Sequence, residues 1–294
     1  MNHFVRQLAS AVMVIWLAAT LAFFALRVLP GDALEAQLLD SGASAEVIEQ
    51  RRVQLGLNIP LIEQYGRFIG GLLRGDLGYS LLNGEPVTET ILVRLAPTVT
   101  LAVNALVVAT ISGIGLGVSA GLGTEIAKNV ISLSLSMPIY WTGTLVIYAA
   151  SALSIAGEGS ETILPVAVLG FHAAGAIAWV LQGQVSEVAR ADYVRTARAK
   201  GLHEHIVIGR HVLRVALLPV VSVIALQAGF LLTGTVITES LFARPGIGRL
   251  LVERTLGQDY PVVQGIVVLA AVAYTLVNTA ADGVQRALDP RLRA

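Results

Sequence analysis

The chain has 294 residues, of which 55% are hydrophobic and 14% charged, with a mean hydropathy of +0.72 and 20 basic against 20 acidic side chains. Soluble domains carry about 25% charged residues, so this composition excludes an ordinary soluble enzyme and points to a membrane. Cysteine is absent, which removes disulfide frameworks, thiolate metal sites and redox motifs.

A helix needs a charge-free run of about 18 or more residues to cross roughly 30 Å of hydrocarbon. Six such runs occur, at residues 7–26, 95–124, 129–157, 162–186, 215–238 and 260–281. Each is long enough to span once and too short to span twice, which predicts an all-α membrane protein of six transmembrane helices. The first run follows Arg6 and exceeds the apolar core of about 7–15 residues found in secretory signals, with no small-x-small cleavage site behind it. It reads as a retained first helix. Six crossings put both ends on one side. With that side cytoplasmic, the inside segments hold 11 basic and 6 acidic residues and the outside segments 9 and 14. This is the positive-inside asymmetry and predicts N-in, C-in. The loop at Lys128, the loop from Arg190 to Arg214 and the tail with Arg286, Arg291 and Arg293 carry the inside excess.

Between the first two spans lies a polar external segment. Residues 43–56 have helical spacing with acids early and arginines late, as the helix dipole favours. Asn58-Ile59-Pro60 breaks that pattern. A second helix over 61–73 then puts Leu61, Tyr65, Phe68, Ile69 and Leu72 on one face, to rest on the membrane interface or on the bundle.

In the second span Gly113, Gly117 and Gly121 form a small-xxx-small stripe, which predicts a helix-packing face. Gly117 to Gly121 also fits GxSxG around Ser119. That nucleophile elbow needs a strained strand-to-helix turn, and the match lies inside an apolar, glycine-striped helix, so packing is the better reading. His172 is the one histidine within a span. An ionisable group at that depth faces a partner or a cavity, which leaves a hydrogen bond to a neighbouring helix or a place on the translocation pathway. Asn104, Gln182 and Gln227 pose the same question, and Asn104 and Gln227 join His172 as pathway candidates.

His203-Glu204-His205 lacks HExxH spacing, and residues two apart on a helix point to different sides. These read as solvated loop residues, and no metal site is expected. Without GxxxxGK[ST] nothing on this chain cradles nucleotide phosphates.

Residues 191–205, ADYVRTARAKGLHEH, concentrate charge in an otherwise apolar half of the chain. Asp192 to Leu202, with RHVLR at 210–214 and LLPV at 217–220, resembles the cytoplasmic "EAA" loop of ABC importer permeases, in particular the dipeptide, oligopeptide and nickel subfamily. LRVLPGD at 26–32, GLLRGDLGYS at 71–80, ESLFARPGIGRLL at 239–251, DYPVVQG at 259–265 and LDPRLR at 288–293 fit the same subfamily. The resemblance covers essentially the whole chain. Arg195 stands where the family's loop has its glutamate, so no role of that glutamate is carried over.

The resemblance implies a type I ABC importer permease fold. Residues 1–30 would hold the first helix, 31–94 the external segment, 95–284 the transmembrane domain with its loop at 187–214, and 285–294 a cytoplasmic tail. It implies a multi-pass subunit of the bacterial or archaeal cytoplasmic membrane that is not an enzyme. The chain would be the first-type permease of a pair with a second homologous permease, two ATP-binding-cassette ATPases and an extracytoplasmic solute-binding protein. Its only other expected contact is the lipid bilayer, with no nucleic acid. ATP and Mg would bind the ATPases, with no cofactor on this chain. The external segment and the loop over 239–260 are the candidate contacts for the binding protein.

The inside loop would supply the helix that docks on an ATPase, through Asp192, Tyr193, Arg195, Thr196, Ala197, Arg198, Lys200, Gly201 and Leu202. Gly201 suits a left-handed helix end, and Arg198 and Lys200 in the last turn suit the dipole. Small Ala197 and Ala199 leave room for docking, with Ala197, Gly201 and Leu202 as the contact core. Peptides are the expected cargo, with nickel or a metal chelate as the alternative. From a different class, an intramembrane serine protease using Ser119 and His172 is the remote alternative.

Overall fold

Proline decides where the spans of this protein stay straight. The structure is a computed structural model and describes residues 3–28, 46, 49, 53, 58–154, 159–233 and 235–288. Residues 29–32 of LRVLPGD and residues 289–293 of LDPRLR lie outside the described residues. Of the helix expected over 43–56, Glu46, Glu49 and Val53 are described, and each is helical.

Helix α1 (His3–Val28) is the first span, and α2 (Leu61–Leu72) begins directly after Pro60. Helix α3 (Val87–Gly121) has 35 residues and carries Pro97 inside it. It starts eight residues before the charge-free run, at the position after Pro86. At about 1.5 Å per residue it is longer than the hydrocarbon is thick, so Glu89 and Arg94 ride on turns beyond the apolar stretch.

The third run, expected as one helix over 129–157, is two helices that together can make one span. It is α4 (Glu125–Ser136) and α5 (Ile139–Ala152), bent by 108° at Met137-Pro138. Met137 is extended, with ψ 133, because the ring of a following proline disfavours the helical region. Helix α6 (Ser160–Val188) tolerates Pro165 near its start and stays continuous.

After α6 come α7 (Asp192–Ala199), a short α8 (Glu204–Ile206), a π-helical stretch Val207–Val212, α9 (Leu213–Ala216) and α10 (Leu218–Thr233). The fifth run also departs from a straight span: Glu204–Ala216 meets Leu218–Leu232 at 59°, and α11 (Val236–Leu241) ends it. Helices α12 (Ile247–Leu256) and α13 (Tyr260–Leu288) complete the described chain. Among the described residues, four helices are long and apolar enough to cross a membrane, and the two bent pairs raise the crossings to six if each is one span.

The chain divides into two compact units, Met1–Pro97 with Pro245–Thr275, and Thr98–Arg244 with Leu276–Ala294. In the first, Phe23 and Phe24 of α1 meet Tyr65 of α2 edge-on and tilted, Phe23 stacks on Phe68, and Thr20 bonds the Tyr65 hydroxyl at 2.8 Å. The α2 face at Tyr65 and Phe68 therefore rests on α1, which settles one of the two placements left open by its sequence. A separate apolar core joins Val87, Ile91, Leu250, Val262 and Ile266.

The second unit packs α3, α6 and α10 around Leu101, Ala105, Leu169, Ile177, Leu181 and Val220. Lipid chains are as apolar as leucine, so close fit rather than exclusion from water drives this packing. The glycine stripe provides it. A Cβ added at Gly113 would lie 2.9 Å from Cβ of Ile177, at Gly117 2.8 Å from Cβ of Leu181, and at Gly121 2.7 Å from Cβ of Val185. Each glycine lets one turn of α3 lie against one turn of α6.

Candidate functional site

The inside loop is built from an amphipathic helix too short to stand alone. Extended Ala191 leads into α7, and Asp192 opens it, where a negative charge suits the helix N-terminus. Val194 and Ala197, three residues apart, turn inward and are 0% and 6% exposed, in one apolar cluster with Val207, Val212 and Ala216. That cluster fixes the helix on its base.

The burial corrects the expected contact core: Ala197 faces the chain's own interior and has little surface to offer a partner. Asp192, Tyr193, Arg195, Thr196, Arg198, Ala199, Lys200, Gly201 and Leu202 are exposed. The Val194–Ala197 spacing was the signal in the sequence for this inward face.

Gly201 ends the helix at φ 77, with its N–H donated to the Arg198 carbonyl at 2.9 Å. A side chain there would enter the left-handed region at a cost of roughly 1–2 kcal/mol. Lys200 is the capping residue rather than part of the last turn. Arg198, in the last turn, sends Nε and Nη2 to the two carboxylate oxygens of Glu204 at 3.1 and 2.7 Å, and Nη1 to the Ala189 carbonyl at 3.0 Å. The bond holds the Glu204 carboxyl below its ordinary pKa and raises that of Arg198. Arg195 and Asp192 come only within 3.8 Å, both largely exposed, a pairing of little energetic weight.

Beyond the turn, the rings of His203 and His205 stack at 5.6 Å with 14° between their planes. The expectation that they point to different sides is thereby corrected. Helical geometry does not govern the pair, because His203 is the extended residue before α8. Among the described residues no group of three or more His, Asp or Glu side chains converges to hold a metal ion.

Among the described residues no hydrogen bond joins the membrane candidates to one another. His172 on α6 bridges the broken span: its Nδ1 lies 2.8 Å from the Ser134 carbonyl of α4 and its Nε2 3.0 Å from the Thr142 hydroxyl of α5. Asn104 is exposed on α3, and Gln227 and Gln182 are half-buried on α10 and α6. Ser119 lies within unbroken α3 and donates to the Gly115 carbonyl at 2.8 Å. It lies on no strained turn, and among the described residues it has no histidine partner, so the protease geometry is not formed there.

Two buried polar clusters were not read from the sequence. Asp259, 0% exposed, accepts hydrogen bonds from the Ser80 hydroxyl at 2.5 Å, the Leu81 N–H at 2.9 Å and Arg254 at 3.2 Å. It joins the GLLRGDLGYS and DYPVVQG segments across 179 residues. Glu239, also 0% exposed, accepts from Thr98 at 2.6 Å and Thr235 at 3.1 Å. Hydroxyl–carboxylate pairs so far apart in the chain leave no local pattern. A recess of about 740 Å³ opens at the inner ends of α3 and α6, beside Lys128, Gln182, Ser186, Glu187 and Arg190.

Residues 105–294 match the family model of the binding-protein-dependent transport system inner membrane component, and residues 1–102 match the model of the N-terminal region of such membrane components. The whole chain aligns with 99% of the glutathione transport system permease protein GsiC of Pectobacterium atrosepticum at 36% identity. It aligns with 99% of the same-named protein of Escherichia coli K12 at 34%. Among solved structures, the MetNI methionine ABC transporter in an inward-facing conformation matches with a TM-score of 0.60 at 15% identity, over 69% of this chain and 97% of that one. An amino acid ABC transporter matches with a TM-score of 0.56 at 12% identity, over 68% of this chain and 94% of that one.

Proposed function

The chain belongs to the family of binding-protein-dependent transport system inner membrane components, and from that premise we propose that the segment from Asp192 to Leu202 is where it docks on its ATPase. As a permease subunit of an ABC importer, it is a multi-pass protein of the bacterial inner membrane and a transport subunit rather than an enzyme. Permeases of this family work with ATPase and binding-protein partners.

The observation that carries the docking proposal is the two-sidedness of α7. Its inner face, Val194 and Ala197, is sealed into the core, while its outer face and the left-handed turn at Gly201 stand exposed. A helix held on one side and open on the other can be moved by a partner and take its span with it. In this reading the exposed residues, from Tyr193 and Thr196 to Ala199 and Leu202, form the contact. ATP binding draws two such helices together, one from this chain and one from a second homologous permease, and the spans rock from inward-open to outward-open. Directional transport then requires that the cargo bind the two states with different affinity. Replacing Gly201 by proline, whose φ is fixed near −65°, tests this. The variant hydrolyses ATP without net uptake. Uptake at the wild-type ratio to hydrolysis would refute the docking role.

For cargo, we propose a short peptide delivered by the binding protein. The relatives carry the name of glutathione permeases, and glutathione is a tripeptide. His172, the histidine within a span that could have met a metal cargo, uses both ring nitrogens within the chain. A thermal-shift screen of its partner binding protein separates the cases: peptides raise its melting temperature and nickel salts do not. The opposite ranking selects metal import.

A further inference from the structure

Arg198 differs from the other cations of the inside loop. Among the described residues Lys200 and Arg210 show no side-chain partner, and Arg195 has only its long contact to Asp192. Arg198 instead spends three donors on two segments besides its own. Nη1 reaches the Ala189 carbonyl, at the residue that caps α6, and the fork of Nε and Nη2 takes both oxygens of Glu204, the first residue of α8. Arg198 itself lies in the last turn of α7, and Gly201 reverses the chain between it and Glu204. One guanidinium therefore ties together the end of a span, the exposed helix and the entry to the stretch that leads into α10.

The tie complements the apolar base. Val194 and Ala197 pin α7 from beneath, against Val207 and Val212, and the Tyr193 hydroxyl near its start donates to the His211 carbonyl at a long 3.4 Å, but none of these holds the far end of the eight-residue helix. The clamp of Arg198 on Ala189 and Glu204 holds that end. A planar fork bonding both carboxylate oxygens fixes direction as well as distance, which a lysine point charge does not.

We propose that Arg198 is the positioning residue of energy coupling: it holds α7 at a set angle to α6, so that a displacement imposed on α7 passes into the span instead of being absorbed by the loop. The proposal rests on α7 being the ATPase-docking element. It assigns Arg198 a role apart from topology, since any inside cation serves the positive-inside rule.

The test uses the assembled transporter in liposomes, both permeases and both ATPases, with its binding protein as purified. The readout is the ratio of ATP hydrolysis with the binding protein to hydrolysis without it, which needs no knowledge of the cargo. In Arg198→Ala and Arg198→Lys this ratio falls at least about fivefold, the lower end of ordinary coupling effects. The exchange Arg198→Glu with Glu204→Arg restores the ion pair but not the bond to the Ala189 carbonyl, to which a carboxylate cannot donate, so its ratio stays at least about fivefold below the native one. Arg210→Ala, which removes an exposed cation of the same loop, keeps the native ratio.

A native ratio in Arg198→Lys overturns the proposal, because charge alone then suffices. An exchange that recovers the native ratio overturns it too, because the ion pair then suffices without the bond to the end of α6. So does loss of the ATPases from the purified complex in every Arg198 variant, which would make Arg198 a docking contact. Failure of the docking reading looks different: Gly201→Pro would then leave the native protein's coupling intact.

Discussion

Two arginine–carboxylate pairs hold turns of this chain, and their surroundings give them opposite uses. Asp259 is fully buried, with Arg254, Ser80 and the Leu81 N–H around it. Glu204 is exposed and takes only the fork of Arg198. Desolvated charges are costly to leave unpaired, so the first pair acts through stability. Water screens the second, so it adds little stability and acts through direction. An ion pair's worth thus depends on what breaking it exposes: an orphaned buried charge in one case, a loose helix in the other.

The sharpest way to break this contrast is to remove one acid from each pair. Asp259→Ala strands the Arg254 guanidinium and the Ser80 hydroxyl, at a cost of about 3–5 kcal/mol. The expected result is a melting temperature several degrees lower and poor yield in detergent, read by a thermal unfolding assay. Glu204→Ala leaves the melting temperature unchanged in the same assay. Equal losses in the two variants would erase the distinction.

Packing in the spans sets a middle scale. A leucine at Gly117 would drive its Cβ to 2.8 Å from Cβ of Leu181, and overpacking of this kind costs about 1–3 kcal/mol. Gly117→Leu should lower thermal stability less than Asp259→Ala, whereas the same change at Gly115, where no neighbour lies within 4 Å, should be neutral. Smaller still is Gly201→Ala, which strains one exposed residue at φ 77 by roughly 1–2 kcal/mol. It frays the end of α7, visible as faster amide exchange over 198–204, with little change in melting temperature.

The smallest effect is the pH dependence of the exposed pair. Arg198 depresses the Glu204 carboxyl below its ordinary value of 4.5. A depressed acid contributes its order above the unfolded pKa and loses it as pH falls through the folded one. Amide protection over 198–204 is therefore constant from neutral pH down to that ordinary value and declines only below it. In Arg198→Lys the decline begins at higher pH.

Much of the architecture was legible because it rests on local chemistry. Gaps in charge marked where hydrocarbon is tolerated, the four-residue glycine spacing marked a helix face, and Gly201 marked a left-handed end. The break at Met137-Pro138 was written in the sequence but masked by the uniform hydropathy around it, since a proline does not alter the length of a charge-free run. Long-range pairing was not legible. Ser80 and Asp259 are a common serine and a common acid until the fold joins them, and Arg198 meets Glu204 only because Gly201 turns the chain. The facing of Ala197 misled because in a short charged helix a small residue reads equally as room for a partner or as contact with the core.

Whether the outer face of α7 and its turn form the ATPase contact is open to a direct measurement because the chain contains no cysteine. Single cysteines at Ala197, Ala199 and Leu202, treated with a short thiol cross-linker in membranes holding the assembled transporter, report which side meets the ATPase. Docking through the outer face gives cross-links from Ala199→Cys and Leu202→Cys and none from buried Ala197→Cys. Cross-linking from Ala197→Cys as strong as from Leu202→Cys, or none from the two exposed positions, would contradict it.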